Sequence, residues 1–276
     1  EVKALADQLT AADIMDVRTA DPLDAAFTKI RYSGKDNWVK LQPGRNVAAA
    51  FLETHRYAAM VGGTLAFSKM EGTTVNVKDK IAYSAMSRVD SSMTDGLSPG
   101  FKVEGPAAGA VYQLHMKEGQ VDTEGNAIDS AWVPVDMAAV PELIGEVLAT
   151  RDALGNTHAA DKISNPDNLK FSEKLRTLFI GEDSGGHVNN FLWAYNVDSK
   201  QMSRVLSCPV AAESTGLQAV DEINGWTYIT SNFQHAADWA SVHSVVRPTL
   251  EPLVNANYKG GFGASVGYLT GVKIGA

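Results

Sequence analysis

The feature that most constrains this chain is a succession of short, β-rich segments, each closed by polar residues. KIAYSAMSRV, GAVYQLHM, RTLFIGED, FLWAYNV, SRVLSC and GWTYITSNF are rich in branched and aromatic residues. Two stretches share one layout. AVYQLHMKEGQVDTEGNA and LWAYNVDSKQMSRVL each give an apolar strand, a polar turn and a return strand. Each follows a strand that ends in polar groups, YSAMSRVD and LFIGEDSG respectively. Repeated strand pairs of this kind predict a mainly β chain organised like a β-propeller, whose blades are small antiparallel sheets. Asp167 and Glu213, carboxylates in similar loop settings, stand 46 positions apart, close to the roughly 40–50 residues of one blade.

The remainder divides around those strands. Residues 1–46 read as an irregular lead-in with turn signals at Asp21-Pro22, Ser33-Gly34 and Pro43-Gly44. Residues 48–60, AAAFLETHRYAAM, read as a short helix closed by Gly62-Gly63. Residues 137–154 read as a helical insertion, and Gly260-Gly261-Phe262-Gly263 as a flexible turn. Residues 1–276 are expected to form a single propeller-like domain or the C-terminal portion of one. About three blades fit into the strand-bearing part, too few to close a propeller and remove its edges. Missing N-terminal sequence is therefore expected, as it is from a chain that begins at Glu1 with no methionine.

Composition narrows the function classes. A balance of 24 basic against 32 acidic residues, net −8, argues against a nucleic-acid-binding surface. No run approaches the roughly 18–20 apolar residues of a membrane-spanning helix. The one cysteine, Cys208, rules out an intramolecular disulfide and a Cys-pair zinc site. No HExxH occurs, and no GxSxG elbow, P-loop or GxGxxG follows a strand.

Five constellations remain. In FSKMEG, residues 67–72, Lys69 beside Glu71 can bind a phosphate oxygen and a cation together, but the local sequence alone favours an ordinary surface ion pair at a turn. In NPDNL, residues 165–169, Asp167 and Asn168 offer hard oxygen ligands that suit calcium, or simply form an Asx turn before a strand at 169–171. In GEDSGGH, residues 181–187, the adjacent Glu182 and Asp183 repel each other unless a cation or solvent relieves them. One of the two is expected at a site, against the alternative of a solvated acidic loop. In CPVAAESTG, residues 208–216, Glu213 sits among small apolar residues where an unpaired carboxylate is costly, so it is expected to be exposed, hydrogen-bonded or, as the first choice, metal-bound. In NFQH, residues 232–235, Gln234 or His235 can face the same mouth, while His235 and His187 can equally be packing residues. Cys208 reads as a packed thiol beside Pro209.

Taken in order, KMEG, NPDNL, LFIGED, ESTG and QH resemble the PhoX family of alkaline phosphatases over residues 64–235. The resemblance implies an exported (periplasmic or secreted), six-bladed, monomeric phosphomonoesterase with calcium and iron in the propeller mouth, acting on small phosphate esters. Carried over, Glu71 becomes a metal ligand and Lys69 stands where many members have a phosphate-binding arginine. Lysine cannot reproduce the arginine's bidentate fork. Asp167 becomes a calcium ligand with Asn168 beside it, Glu213 lies near the metals, and Glu182 and Asp183 fill the acidic strand-end position. The family's cysteine-bearing iron element, with its adjacent pair of glutamates, has no match here. The resemblance thus implies a chain holding the phosphate-and-calcium side of a site, inactive without an N-terminal half. Two other classes fit some of the same residues: a calcium-dependent propeller lactonase or phosphotriesterase, which needs no Lys69, and a non-catalytic calcium-binding propeller module.

Overall fold

The computed structural model describes residues 2–98, 100–258 and 263–273; the turn expected at Gly260-Gly261-Phe262 lies outside them. The chain is mainly β, with several antiparallel sheets, one of them curled into a half-barrel. Where a single domain was expected, the chain divides into two compact units, residues 1–68 with 90–104, and residues 69–89 with 105–276. Among the described residues no helix is long and apolar enough to cross a membrane.

The first unit corrects the expectation of an irregular lead-in over 1–46. Helices α1 (Val2–Ala6) and α2 (Ala11–Ile14) precede strands β1 (Met15–Arg18), β2 (Thr28–Tyr32) and β3 (Lys35–Leu41), paired in the order β1-β3-β2. The Ser33-Gly34 signal is the hairpin turn itself, both residues having positive φ (50° and 71°), as a tight hairpin with the right twist requires. The helix expected over 48–60 is two helices, α3 (Asn46–Leu52) and α4 (Thr54–Met60), broken at Glu53. Ile14, Met15, Ile30, Val39, Ala48 and Ala49 form the core of this unit. Residues 90–104 complete it, with Arg31 clasping Asp95 through both terminal nitrogens and the Phe67 ring 4.8 Å from that of Phe101.

The second unit holds three sheets built in chain order. The first contains β4 (Lys69–Asn76), β5 (Ile81–Arg88) and β6 (Ala110–Lys117), with β7 (Val133–Pro134) and β8 (Ala138–Ile144) both paired to β6. The second is a meander of β9 (Pro166–Ser172), β10 (Thr177–Glu182), β11 (Phe191–Asn196) and β12 (Met202–Ser207). The third contains β13 (Glu213–Ile223) and β14 (Trp226–Ala236), then helix α5 (Arg247–Tyr258), then β15 (Gly263–Lys273). All six strand segments expected from the β-rich runs are strands. The shared strand-pair layout holds for LWAYNVDSKQMSRVL, the β11–β12 hairpin. After AVYQLHM, however, the return is made by β7 and β8, and the intervening turn contributes only the bridge Val121↔Ala127.

The helical insertion expected over 137–154 is not a helix. Pro141 would remove a helical hydrogen bond and clash with the preceding turn, whereas in β8 it is exposed and tolerated. The end of the segment is turned by Asp152, whose carboxylate accepts from the backbone N–H groups of Leu154, Gly155 and Asn156 and from the Asn156 amide. Asp122 organises DTEGN in the same way. These are Asx turns, which compete with helix for the same backbone donors.

Strand β10 explains how the sheets stack. Its run Leu178-Phe179-Ile180 is apolar without alternation, because both faces are covered. Leu178 and Ile180 join the core shared with Tyr83, Val111 and Phe171, while Phe179 joins Leu192, Leu217 and Ile229. The leading strands β4, β9 and β13 are neighbours in that order. β4 approaches β9 closely at Gly72, and β10 approaches β13 closely at Gly181. A Cβ on Gly72 would lie 2.6 Å from the Asp167 carbonyl oxygen and 2.7 Å from the Leu169 nitrogen; one on Gly181 would lie 3.0 Å from the Ser214 carbonyl oxygen. At the other end of the hairpins, Arg176 ties together Asp79 and Asp198 from two other turns.

Gly72→Ala is therefore expected to lower stability by about 1–3 kcal/mol, the usual range for overpacking. Gly185→Ala, where the added methyl meets nothing within 4 Å, should leave the urea midpoint unchanged. Equal midpoints for the two variants would contradict the close β4–β9 approach.

Candidate metal and phosphate site

The leading strands bring most of the sequence-nominated residues to one place. Lys69 and Glu71 are two apart on β4 and so share one face of that strand. Contrary to the expected loop placement, Asp167 and Asn168 lie inside β9, which starts at Pro166. Asn165 before it adopts φ 42° instead of the extended conformation usual before proline. Its amide holds that conformation by donating to the carbonyls of Ser87 (2.7 Å) and Ala107 (3.1 Å). Glu213 opens β13, after Ala211 with φ 58°. Asp183 follows β10, its N–H donating to the Asn165 carbonyl.

The Lys69 ammonium lies 3.0 Å from Asp183 Oδ2, 3.5 Å from Glu71 Oε1 and 3.8 Å from Asp167 Oδ2. Asp167, Asp183 and Glu213 each offer a carboxylate oxygen within 4.8 Å of the others. Asn168 donates its amide to Asp167 Oδ1 (2.7 Å) and Gln234 donates its amide to Glu213 Oε2 (2.6 Å). His235, with φ 61°, has Nε2 at 3.9 Å from the same Glu213 oxygen. Gln234 and His235 thus both face this cluster, the former as the holder of Glu213.

Glu182 is the correction within the site. It is adjacent to Asp183, so the two point to opposite sides of the extended chain, and only Asp183 reaches the cluster. Glu182 is fully buried, and its oxygens accept from Ser164 N (2.8 Å), Trp193 Nε1 (2.6 Å), Phe191 N (3.0 Å) and His187 Nδ1 (3.0 Å). His187 Nε2 faces the Ala159 carbonyl at 3.1 Å. Both ring nitrogens therefore face acceptors, which requires the doubly protonated imidazolium. Burial disfavours that charge, but the Glu182 hydrogen bond and charge outweigh it and raise the His187 pKa. Glu182 and His187 are a structural pair, and Trp193 with Ser164 are supporting residues that the sequence reading missed; no spacing rule flags them. Cys208 is buried against Ala212 and Ala236, and burial pushes its thiol up to about 11.

The cluster carries four carboxylates against one ammonium. Burial first, then the charges of Glu71, Asp183 and Glu213, raise the Asp167 carboxyl to about 6, with Lys69 pulling the other way. Burial also raises Glu213, against the Gln234 hydrogen bond. For Lys69, burial works against the charge, but Asp183, Glu71 and Asp167 together raise it. An all-oxygen donor set of this kind fits a hard cation such as calcium. The one thiol, Cys208, is packed among Ala212 and Ala236 and is not a member of the acidic triad, so it supplies no cysteine ligand there. No known protein family, curated protein or solved structure matches the chain.

Two predictions follow from these geometries. Asp167 keeps its proton in the folded state up to about pH 6 but loses it near 3.8 when unfolded. The folded state binds more protons in that window, so in chelator stability falls as pH rises from about 4 to about 6. Asp167→Asn should then gain roughly 1–3 kcal/mol at pH 7–8 without cation, and urea titrations in which it is less stable than wild type would refute the account. Glu182→Ala should cost about 3–5 kcal/mol by leaving His187 without its counter-charge and the Ser164 N–H, Phe191 N–H and Trp193 Nε1–H without their acceptor. In wild type the raised His187 pKa adds stability that is complete below about pH 6.5 and is lost as pH rises through the folded value. That alkaline decline should vanish in Glu182→Ala.

Proposed function

We propose that the chain is the calcium- and phosphate-binding portion of a metal-dependent phosphomonoesterase of the PhoX type, an exported enzyme built on a β-propeller. One observation carries the reading. Glu71 and Asp167, from the leading strands of two successive sheets, and Asp183, from the end of β10, converge on Lys69, and Glu213, from the leading strand of the third sheet, joins Asp167 and Asp183. The propeller part is supported by the meander order of the strands, by β10 being covered on both faces, and by the adjacency of β4, β9 and β13.

In this reading Glu71, Asp167, Asp183 and Glu213 hold calcium, which when bound supplies charge neutralisation for the phosphate oxygens. Asn168 and Gln234 orient two of those carboxylates by amide donation. Lys69, partly exposed at the cluster, binds a further phosphate oxygen as a point charge. A propeller lactonase or phosphotriesterase would use the same acids; the ammonium among them is the observation that favours an anionic phosphomonoester.

The test is hydrolysis of p-nitrophenyl phosphate by the full-length protein supplied with calcium and iron. Turnover should disappear on chelation and fall at least ~100-fold in Glu71→Ala, a loss of about 2.7 kcal/mol of transition-state stabilisation. No turnover by the full-length protein, or a Glu71→Ala variant as active as wild type, would sink the proposal. Lactone hydrolysis in calcium alone would transfer the site to the second class.

A further inference from the structure

We infer that His158 is an acid-sensitive latch, which holds the 183–190 loop against the 145–165 segment at neutral pH and loosens it when the imidazole takes up a second proton. His158 and the groups bonded to it lie outside the acidic cluster. Backbone and amide bonds stitch the two segments together: Thr157 and His158 N–H donate to the Gly186 carbonyl (2.8 and 3.2 Å), and Val188 N–H donates to Asn156 Oδ1 (2.6 Å). The His158 ring lies directly on Gly186, where a Cβ would come within 2.1 Å of Nδ1. His158 Nδ1 is 2.6 Å from Ser164 Oγ, which is bonded to Ser184 Oγ, and Ser184 Oγ is 3.0 Å from Asn165 Oδ1. Ser184 Oγ also accepts the Gly186 and His187 N–H groups (2.9 and 3.2 Å).

Only one placement of protons gives each contact in that chain a donor. Asn165 points its amide nitrogen at the carbonyls of Ser87 and Ala107, so its oxygen accepts and Ser184 donates to it. The Ser164 hydroxyl then donates to Ser184, and His158 Nδ1–H donates to Ser164. Neutral His158 satisfies the chain as the Nδ1–H tautomer; a further proton goes on Nε2 and adds only charge. That charge is poorly placed. From the 183–190 loop it faces His187, ring centroids 6.4 Å apart, already an imidazolium bound to Glu182. On its own segment Glu146 and Lys162 pair with each other, Arg151 bonds Ser241, Asp152 is taken up by its turn, and Asp161 is exposed. Burial, together with the His187 charge, lowers the His158 pKa. Two imidazoliums at that separation repel. His187 is fully buried and bonded at both ring nitrogens, so the half-buried His158 is the ring that gives way, and Gly186 loses the ring packed on it. The folded state binds fewer protons than the unfolded chain below about pH 6.5, so the latch stabilises above that pH and is lost as pH falls through the lower folded value.

Hydrogen exchange read by mass spectrometry over residues 183–190, expressed as protection relative to the unfolded chain at each pH, tests the latch. In the wild-type chain that protection should fall at least ~5-fold between about pH 7.5 and about pH 5, with the β11–β12 hairpin unchanged. His158→Asn, whose amide can replace Nδ1–H as the donor to Ser164 but cannot gain a charge, should keep its protection at both pH values. His158→Ala should exchange rapidly in this loop at both. Wild-type protection that is the same at both pH values would overturn the latch. So would an equal acid-induced fall in His158→Asn, which would place the sensor on another group. If His158→Ala does not fold, the comparison of wild type with His158→Asn still decides.

Discussion

The close approach of the three leading strands is the constraint on which the rest of this molecule turns. Carboxylates free to move in water stay apart; here backbone geometry brings Asp167, Asp183 and Glu213 within 4.8 Å. At an effective dielectric near 20, each such pair repels by roughly 3–4 kcal/mol. That repulsion is tolerable only because something else in the fold pays for it. The candidates are visible: Gly72 leaves room for the β4–β9 contact, Asn165 fixes the start of β9, and Asn168 and Gln234 clamp two of the acids. Lys69 returns part of the energy by ion pairing. The site is therefore a product of sheet packing, and its chemistry cannot be separated from the contacts that hold the sheets together.

Glu182 and Asp183 show how little of a carboxylate's role lies in its identity. They are neighbours in sequence, yet one closes a buried polar network and the other stands in an acidic cluster open to solvent. The difference is the direction each takes from the end of β10. Glu182 meets an indole, an imidazolium and two backbone N–H groups, which satisfy it internally. Asp183 meets other acids and one lysine, which leaves it suited to an external cation.

Legibility followed the same division. Strands such as RTLFIGED and FLWAYNV could be read because their branched and aromatic residues suit a pleated, covered surface. The cluster acids could be read because a carboxylate at a strand start or end among glycines and small residues has few internal partners. Three things were not readable. Residues 137–154 read as helix in the sequence, whereas Pro141 and the Asp152 turn decide against one. The turn signals of residues 1–46 read equally as breaks and as hairpin turns, and Ser33-Gly34 joins two strands. The role of Glu182 depends on Trp193, Ser164 and His187, which come together only in the folded chain.

The return of residues 90–104 to the first unit has a consequence for the order of folding. The chain leaves that unit after Ser68, makes the β4–β5 hairpin, and comes back before continuing into β6. The clasp between Arg31 and Asp95 joins residues 64 positions apart, a non-local contact of the sort that slows folding. During synthesis the first unit cannot be completed until the hairpin carrying Lys69 and Glu71 has already emerged. That hairpin precedes in the chain β9, the end of β10 and β13, which supply the remaining carboxylates. Assembly of the acidic cluster is thereby deferred to a late event, when two of its members have already been fixed on a strand.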